Sequence, residues 1–196
     1  MVATSAPPAE SRLTRAALGL AMAIAIVGAA WFVGGRAGFD QIGRGGVNTL
    51  LLPKVGEVAP DFLAYDVDGR PVRLSDLRGQ PVWLNFWGSW CPPCRAEMPE
   101  IQAAWERLQP QGLVLLAVSL DESPAAARDY AATNHATFRV LADEFRTDTG
   151  AAYPIINFPT HLFIDADGIV REIVRTEMDA ETAVANGEAL LARSLP

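Results

Sequence analysis

Both cysteines of this 196-residue chain lie in one short stretch, WGSWCPPC, which runs from Trp87 to Cys94. Two thiols at this spacing can carry thiol–disulfide exchange, in which one thiolate attacks a disulfide and the second resolves the product. A structural disulfide explains the pair poorly, because closing so short a loop removes little entropy from the unfolded chain. The spacing therefore predicts redox chemistry, with Cys91 as the attacking thiol and Cys94 as the resolving thiol.

The elements around the pair should favour this chemistry. The apolar run 82–87 predicts a strand buried on both faces, and a helix is expected from about Pro92 to Leu108. Cys91 then lies at or near the helix N-cap, where free N–H groups and the helix dipole favour a thiolate. The two intervening prolines cost no intrahelical bond there, and the N–H of Cys94 should point toward the Cys91 sulfur. We also expect Cys91 to be exposed enough to attack a partner disulfide.

A zinc site is the alternative for a lone CxxC pair. The chain has no second CxxC, and His135 and His161 are too far apart in sequence to form an H-x3–5-H pair. The net charge is −7, and no basic cluster could follow a phosphate backbone. Neither a zinc module nor a nucleic-acid partner is therefore expected.

The rest of the pattern predicts one α/β domain over residues 55–196. Asp68-Gly69 between short apolar segments indicates a β-hairpin, and Ser75 could cap a helical turn after it. Further strands are expected at 113–120, 138–141, 160–164 and 169–175, and further helices at 124–134, 144–152 and 179–194. Helical crossovers pair strands in parallel and the last hairpin pairs them antiparallel, so we predict a mixed central sheet with helices on both faces.

A membrane segment is predicted ahead of this domain. Residues 16–35 carry no charge, and a helix of that length spans ~30 Å, about the hydrocarbon thickness of a bilayer. A cleaved signal peptide is the alternative, but Trp31, Phe32 and Val33 occupy the end where small residues would be needed. We therefore predict a tail at 1–15, one transmembrane helix at 16–35, a flexible linker at 36–54 and the domain on the far side of the membrane.

The WCPPC motif at a strand-to-helix junction resembles the thioredoxin superfamily, and the resemblance covers roughly residues 55–195. Trp87, Trp90 and Pro99 match the superfamily at fixed offsets from the cysteines. Pro159, in the sequence FPT, matches the loop whose proline is cis and lies against the cysteine pair. The resemblance implies a thioredoxin-like fold and a role for Pro159 beside the sulfurs.

Asn85 departs from thioredoxin itself, which has a buried aspartate six residues before the first cysteine. Asparagine there, the preceding hairpin, the N-terminal apolar segment and the acid Glu97 are similar to the TlpA/ResA/DsbE (CcmG) group, with a domain of the AhpC/TSA-redoxin type. The resemblance implies a membrane-anchored, extracytoplasmic thiol–disulfide oxidoreductase. Such enzymes are typically reductants of protein disulfides, often the CxxCH thiols of apocytochrome c.

The resemblance also implies what surrounds the chemistry. The electrons would come from a thiol-reducing carrier in the membrane, and no cofactor is expected beyond the Cys91–Cys94 pair. Glu97 would lie near the cysteines and tune their proton chemistry. A structural role stays open for each supporting residue: Glu97 as a solvated helix acid, Asn85 as a partner for buried backbone groups, and Trp90 as a packing residue rather than a docking surface.

Two other functions stay open as well. A copper chaperone could use both thiolates with His161 as a third ligand, although thioredoxin-like copper carriers usually space their cysteines as CxxxC. A thiol peroxidase would share the hairpin extension. Its cysteine needs a Thr or Ser three residues earlier, and Gly88 stands at that position here.

Overall fold

The computed structural model describes residues 53–193, together with residue 17, residues 19–26 and residue 28. The described residues between 17 and 28 are helical and exposed. Among all described residues, no helix is both long enough and apolar enough to cross a bilayer. The remainder of the predicted tail, transmembrane helix and linker lies outside the described residues, so these three segments stay predictions.

The predicted β-hairpin precedes the main sheet. Strands β1 (Leu63–Tyr65) and β2 (Pro71–Arg73) pair antiparallel as a separate two-stranded sheet. Gly69 in the turn has φ +80, a conformation that glycine adopts without a steric penalty. The turn signal in the sequence therefore placed the hairpin correctly.

A 3-10 helix, Leu74–Leu77, follows the hairpin, and its capping differs from the prediction. Ser75 lies inside this helix rather than before it, and its N-cap residue makes no side-chain hydrogen bond. The N–H and the hydroxyl of Ser75 both donate to the carboxylate of Asp61. Ser75 is therefore not a cap, because the turn begins two residues earlier than expected, at Leu74.

Five strands form the central sheet, in the order β5-β4-β3-β6-β7. They are β3 (Val82–Trp87), β4 (Val114–Leu120), β5 (Arg139–Asp143), β6 (Thr160–Ile164) and β7 (Val170–Val174). Strands β3, β4 and β5 are parallel, whereas β6 pairs antiparallel with β3 and β7 antiparallel with β6. The mixed sheet predicted from the sequence is confirmed.

The α-helices are α1 (Pro92–Leu108), α2 (Pro124–Thr133), α3 (Thr149–Ala152) and α4 (Ala180–Arg193). The helix predicted at 144–152 is wrong over its first half. There the Asp143 carboxylate accepts the backbone N–H groups of Thr147 and Asp148 in the following loop, and Arg146 has φ +54. These local bonds compete with helical ones, so the helix begins only at Thr149.

The two faces of the sheet are covered unequally. Side chains of α1, α2 and α4 pack on one face. For α1 and α2 this is expected, because β3–α1–β4 and β4–α2–β5 step in the same direction along the sheet and parallel crossovers share one hand. The hairpin, the 3-10 helix and the segment around α3 cover the other face. Helices on both faces are thus confirmed, but within the described residues the second face carries only one α-helical turn.

This topology brings three loops to one edge of the sheet. β3 and β4 are parallel, so their carboxyl ends meet there, and the antiparallel β6 begins at the same edge. The cysteine motif follows β3, an acidic pair follows β4, and the loop with Pro159 precedes β6. Residues distant in sequence therefore meet around the start of α1.

Candidate active site

Cys91 and Cys94 form a disulfide at the start of α1, with their Cα atoms 5.3 Å apart. Cys91 is the N-cap residue of α1, and its sulfur accepts a hydrogen bond from the N–H of Cys94 at 3.3 Å. Pro92 and Pro93 fill the first helical positions, where a missing N–H breaks no ladder bond. The structure therefore shows the N-cap position and the N–H contact that the sequence predicts.

Both sulfurs lie deeper than expected. Cys91 is only 3% exposed and Cys94 is fully buried, and both pack in an apolar cluster with Trp87 and Met98. The expectation that Cys91 is open to a partner disulfide is therefore wrong for this oxidised form. Tertiary packing around the start of α1 covers the Cys91 sulfur, and the motif alone does not show this packing.

The loop before β6 lies beside the disulfide motif. The Phe158–Pro159 peptide bond is cis, as the family resemblance implies. The Phe158 ring packs edge-on against Trp90, with ring centroids 4.9 Å apart. Trp90 also donates from Nε1 to the carbonyl of Leu120 at 3.0 Å, yet remains 47% exposed. Trp90 is thus a packing residue that also presents an apolar surface next to the disulfide.

Gly88 shows why a peroxidase-like hydroxyl is not accommodated here. A Cβ atom on Gly88 would lie 2.5 Å from Nε1 of Trp90, closer than any normal contact. A Thr or Ser at this position would therefore displace the indole from Leu120. This crowding gives the peroxidase alternative no support.

Two consecutive acids after β4, Asp121 and Glu122, bind side chains and backbone of neighbouring loops around the disulfide. Glu122 accepts the N–H of Ser89 at 2.9 Å and the hydroxyls of Ser89 and Ser119. Asp121 forms an ion pair with Arg146, with 2.6 Å between Nη2 and Oδ2. The hydrogen bond from Arg146 holds the pKa of Asp121 below its ordinary value, against a smaller opposing effect of burial.

Arg146 also contacts the loop that precedes β6 and contains the cis Phe158–Pro159 bond. Its Nη1 donates to the carbonyl of Ile155 at 2.5 Å, and its guanidinium carbon lies 5.5 Å from the Phe158 ring centroid. Asp121, Glu122 and Arg146 were not predicted as site residues from the sequence. A signal existed for the acids, because polar residues just after a buried parallel strand gather at the edge where sites form. No local signal marks Arg146.

Three buried polar side chains lie together on the face of the sheet that α1, α2 and α4 cover. Glu97, one turn after Cys94 on α1, is 2% exposed, and Asn85 and His161 are 1% and 0% exposed. Oε2 of Glu97 lies 3.2 Å from Nε2 of His161 and accepts the N–H of Met178 at 3.2 Å. The alternative of a solvated helix acid is therefore wrong for Glu97, because tertiary packing covers this turn of α1.

Asn85 and His161 lie directly opposite each other in the β3–β6 pair. Oδ1 of Asn85 is buried and has no hydrogen-bond partner among the described residues, so this oxygen does not satisfy a buried backbone group as suggested above. Nδ1 of His161 accepts a hydrogen bond from Trp83. Within the part of the chain that the structure describes, no three His, Cys, Asp or Glu side chains form a metal-binding group. The copper alternative gains no support from this site.

The sequence is similar to proteins of known name. Residues 55–173 match the AhpC/TSA family. The thiol-disulfide oxidoreductase ResA of Geobacillus thermodenitrificans is 39% identical over 127 residues, which are 65% of this chain and 72% of that protein. ResA of Bacillus subtilis is 35% identical over 123 residues, 63% of this chain and 68% of its own length. The curated relatives are thus named for the chemistry that the cysteine pair predicts.

A solved structure extends the likeness to the fold. A protein described as the thiol:disulfide interchange protein DsbE, from Chlorobium tepidum, has a TM-score of 0.63 and 31% identity, over 73% of this chain and 99% of that chain. The predicted thioredoxin-like fold and the predicted enzyme class are both confirmed. The chain belongs to the AhpC/TSA family and is a thiol–disulfide oxidoreductase of the ResA/DsbE type.

Proposed function

We propose that the protein is a membrane-anchored reductant of protein disulfides on the extracytoplasmic side, acting in cytochrome c maturation on the CxxCH disulfide of apocytochrome c. The relatives named thiol-disulfide oxidoreductase ResA and thiol:disulfide interchange protein DsbE support exchange with protein disulfides, and the cytochrome substrate is what the family resemblance implies. The uncharged segment 16–35 supports the anchor. A thiol-reducing carrier in the membrane would restore the dithiol after each turnover, and no cofactor beyond the cysteine pair is required.

The surroundings of Cys91 support the proposal that the protein acts as a reductant. Strongly oxidising dithiol enzymes owe their potential to a stabilised reduced form with a stabilised thiolate. Here the next two residues are prolines without an N–H, and among the described residues one hydrogen bond reaches the Cys91 sulfur, from Cys94. A thiolate with so few donors is less stabilised, so the pair gives up its electrons more readily.

The proposed reaction passes two electrons through two exchange steps. The Cys91 thiolate attacks one sulfur of the substrate disulfide, whose S–S bond breaks as its other sulfur leaves as a thiolate. Cys94 then loses its proton and attacks the Cys91 sulfur, which re-forms the disulfide seen in the structure and releases the second substrate sulfur. The proton of Cys94 passes to Glu97, the proton of Cys91 is lost to the solvent when its thiolate forms, and the two substrate thiolates take their protons from the solvent.

We assign to Glu97 the role of accepting the proton of Cys94 and returning it. Cys94 is fully buried, so bulk water does not reach its sulfur directly. Glu97 lies one helical turn further along α1, and residues three apart share a helix face. A second assignment concerns the substrate chain. We expect it to contact the exposed face of Trp90, which packs on the Phe158–Pro159 loop.

The test is the reduction potential of the full chain in detergent, from its equilibrium with glutathione or dithiothreitol buffers. The fluorescence of Trp87 and Trp90 should report the nearby disulfide. We expect a value near or below that of thioredoxin, about −270 mV, and a value near the oxidising limit of about −120 mV would overturn the reductant proposal.

Substrate class is tested with a disulfide-bonded peptide that contains CxxCH. We expect the reduced protein to reduce it faster than a matched peptide in which Ala replaces the His. Equal rates on both peptides would remove the cytochrome substrate and leave a general disulfide reductant.

The anchor is tested separately by flotation with liposomes. The full chain should float with the vesicles if the uncharged segment 16–35 enters the bilayer as proposed, whereas a chain that begins at residue 55 should stay behind. A full chain that does not float would contradict the membrane part of the proposal.

A further inference from the structure

His161 contacts the protein through both ring nitrogens. It lies in β6 opposite Asn85 of β3, and opposed residues in an antiparallel pair place their side chains on the same face. Trp83 donates from Nε1 to Nδ1 of His161 at 3.3 Å, and Nε2 of His161 lies 3.2 Å from Oε2 of Glu97. The thiol–disulfide chemistry described above does not use this histidine.

Trp83 sets the tautomer of the imidazole. An indole N–H only donates, so Nδ1 of His161 presents a lone pair to it. The neutral ring therefore carries its proton on Nε2, the nitrogen that faces Glu97. The contact to Oε2 is close but not aligned as a hydrogen bond in this oxidised form, and such bonds often tighten only during a reaction.

Glu97 has few other partners to hold it. Oε2 accepts the N–H of Met178 at 3.2 Å, and Oε1 has no hydrogen-bond partner among the described residues. The terminal torsion of a glutamate is broad, so one backbone N–H fixes the carboxyl poorly. The His161 ring, which Trp83 and the strand hold in turn, is the side chain that lies against Oε2.

We propose that His161 is a positioning residue: it holds the Glu97 carboxyl in one orientation while Glu97 exchanges a proton with Cys94. When the disulfide is reduced, Cys94 leaves as a thiolate and takes the proton from Glu97. When the disulfide re-forms, the proton returns to Glu97. His161 keeps its own Nε2 proton throughout. The inference rests on thiol exchange at the cysteine pair and on the role assigned to Glu97, but not on the direction of electron flow or on the substrate.

The test is the rate at which dithiothreitol reduces the oxidised full chain, followed by tryptophan fluorescence in stopped flow. General acid catalysis contributes about 10²–10⁴-fold, and we expect His161→Leu to lose part of it, about tenfold. His161→Gln should recover most of the rate, because an amide can donate to Glu97 and accept from Trp83. In a Glu97→Gln background, His161→Leu should cause no further loss.

Phe163→Leu is the matched control. Phe163 lies on the same strand and face as His161, is as buried, and stacks on Trp83 with ring centroids 5.3 Å apart. Its truncation loosens the same packing without removing a polar group, so stability should fall while the rate of reduction stays that of the wild type. A similar slowing in Phe163→Leu would show that His161 acts only through packing and would overturn the proposal.

Two further results would also overturn it. One is that His161→Leu is reduced at the wild-type rate. The other is that His161→Leu slows reduction by the same factor in the Glu97→Gln background as it does in the wild type. A variant that fails to fold is replaced by His161→Gln, which must then retain the rate. A protein that dithiothreitol reduces normally but that does not act on CxxCH peptides would remove the proposed substrate and not the role of His161.

Discussion

Cys91 and Cys94 are chemically unequal although they share one disulfide. Cys91 is the N-cap residue at the start of α1, whereas Cys94 lies one turn further in and is fully buried. Exchange with a partner therefore takes place at Cys91, and when the Cys91 thiolate has attacked a substrate disulfide, Cys94 is left to resolve the mixed disulfide. The order of the two steps follows from where the helix begins.

A Cys94→Ser variant should accordingly accumulate a mixed disulfide between Cys91 and the substrate, because no second thiol is present to release it. Non-reducing electrophoresis and mass spectrometry would detect the adduct. Cys91→Ser is the matched variant and should trap nothing. An adduct in Cys91→Ser, with none in Cys94→Ser, would reverse the two roles.

Trp90 offers a second prediction for a single residue. It is 47% exposed beside the disulfide, and aromatic side chains contribute strongly to protein recognition. Trp90→Ala should therefore slow the reduction of a protein disulfide at least about tenfold, the loss expected of a 1.4 kcal/mol contact, and slow exchange with dithiothreitol much less. Phe145→Ala, which truncates a side chain that is 76% exposed, is the control. Equal losses with both reagents would mean that Trp90 only packs.

At the scale of elements, the end of β4 organises the site. The acids Asp121 and Glu122 face different loops, one through Arg146 and the other through Ser89. Asp121 and Arg146 both have positive φ, 61 and 54, values that are uncommon for residues other than glycine. Such backbone conformations persist only where the surrounding contacts hold them, and here those contacts link β4 to the cis-proline loop.

Asp121→Asn should therefore lower stability in a pH-dependent way. The pKa of Asp121 is lowered in the folded protein, first by the hydrogen bond from Arg146. Its contribution is thus present above the unfolded pKa of about 3.9 and is lost as the pH falls through the folded pKa. Both side chains are partly exposed, so we expect a loss of at most about 1 kcal/mol at pH 7.

Urea unfolding at several pH values would measure this loss. Asparagine tolerates the positive φ of position 121, so the substitution tests the charge and not the backbone. The loss should vanish at pH values well below 4. Glu57→Gln, in an exposed pair with Lys54 at 3.7 Å, is the control and should change little. A loss of equal size at acidic pH would show that the ion pair is not its cause.

For the molecule as a whole, the redox state should change stability. The disulfide joins residues three apart in sequence, and closure of so short a loop, although it removes less entropy than a longer one, still contributes roughly 2 kcal/mol. The reduced protein should therefore unfold at a lower urea concentration with an unchanged m value. A Cys91→Ser/Cys94→Ser variant should be insensitive to dithiothreitol. Equal midpoints for the oxidised and reduced wild type would contradict this prediction.

Much of the fold followed from local patterns. Continuous apolar runs gave β3 and β4 because strands covered on both faces have no polar side to show. The turn pair Asp68-Gly69 and the crossover rule then led to the hairpin and the mixed sheet. The error at residues 144–148 arose because the Asp143 side chain binds the backbone of the next turn, a competition that periodicity does not show.

Part of the candidate site was likewise predictable from local sequence, and part of it was not. The reacting pair was predictable from local sequence, since WCPPC between a buried strand and a helix places Cys91 at the N-terminus of that helix whatever packs around it. The apolar segment 16–35 and the matching residues determined the kind of enzyme to expect. These features depend on neighbours within a few positions, and such short-range information is present in the order of residues.

The residues that surround the sulfurs are set by tertiary packing and were not predictable from local sequence. Glu97 meets His161 because β6 pairs with β3 in one register while α1 packs over that face. Arg146 meets Phe158 because two loops converge at one sheet edge. The burial of Cys91 has the same origin. Contacts between distant residues depend on register and packing, and no short stretch of sequence records either of them.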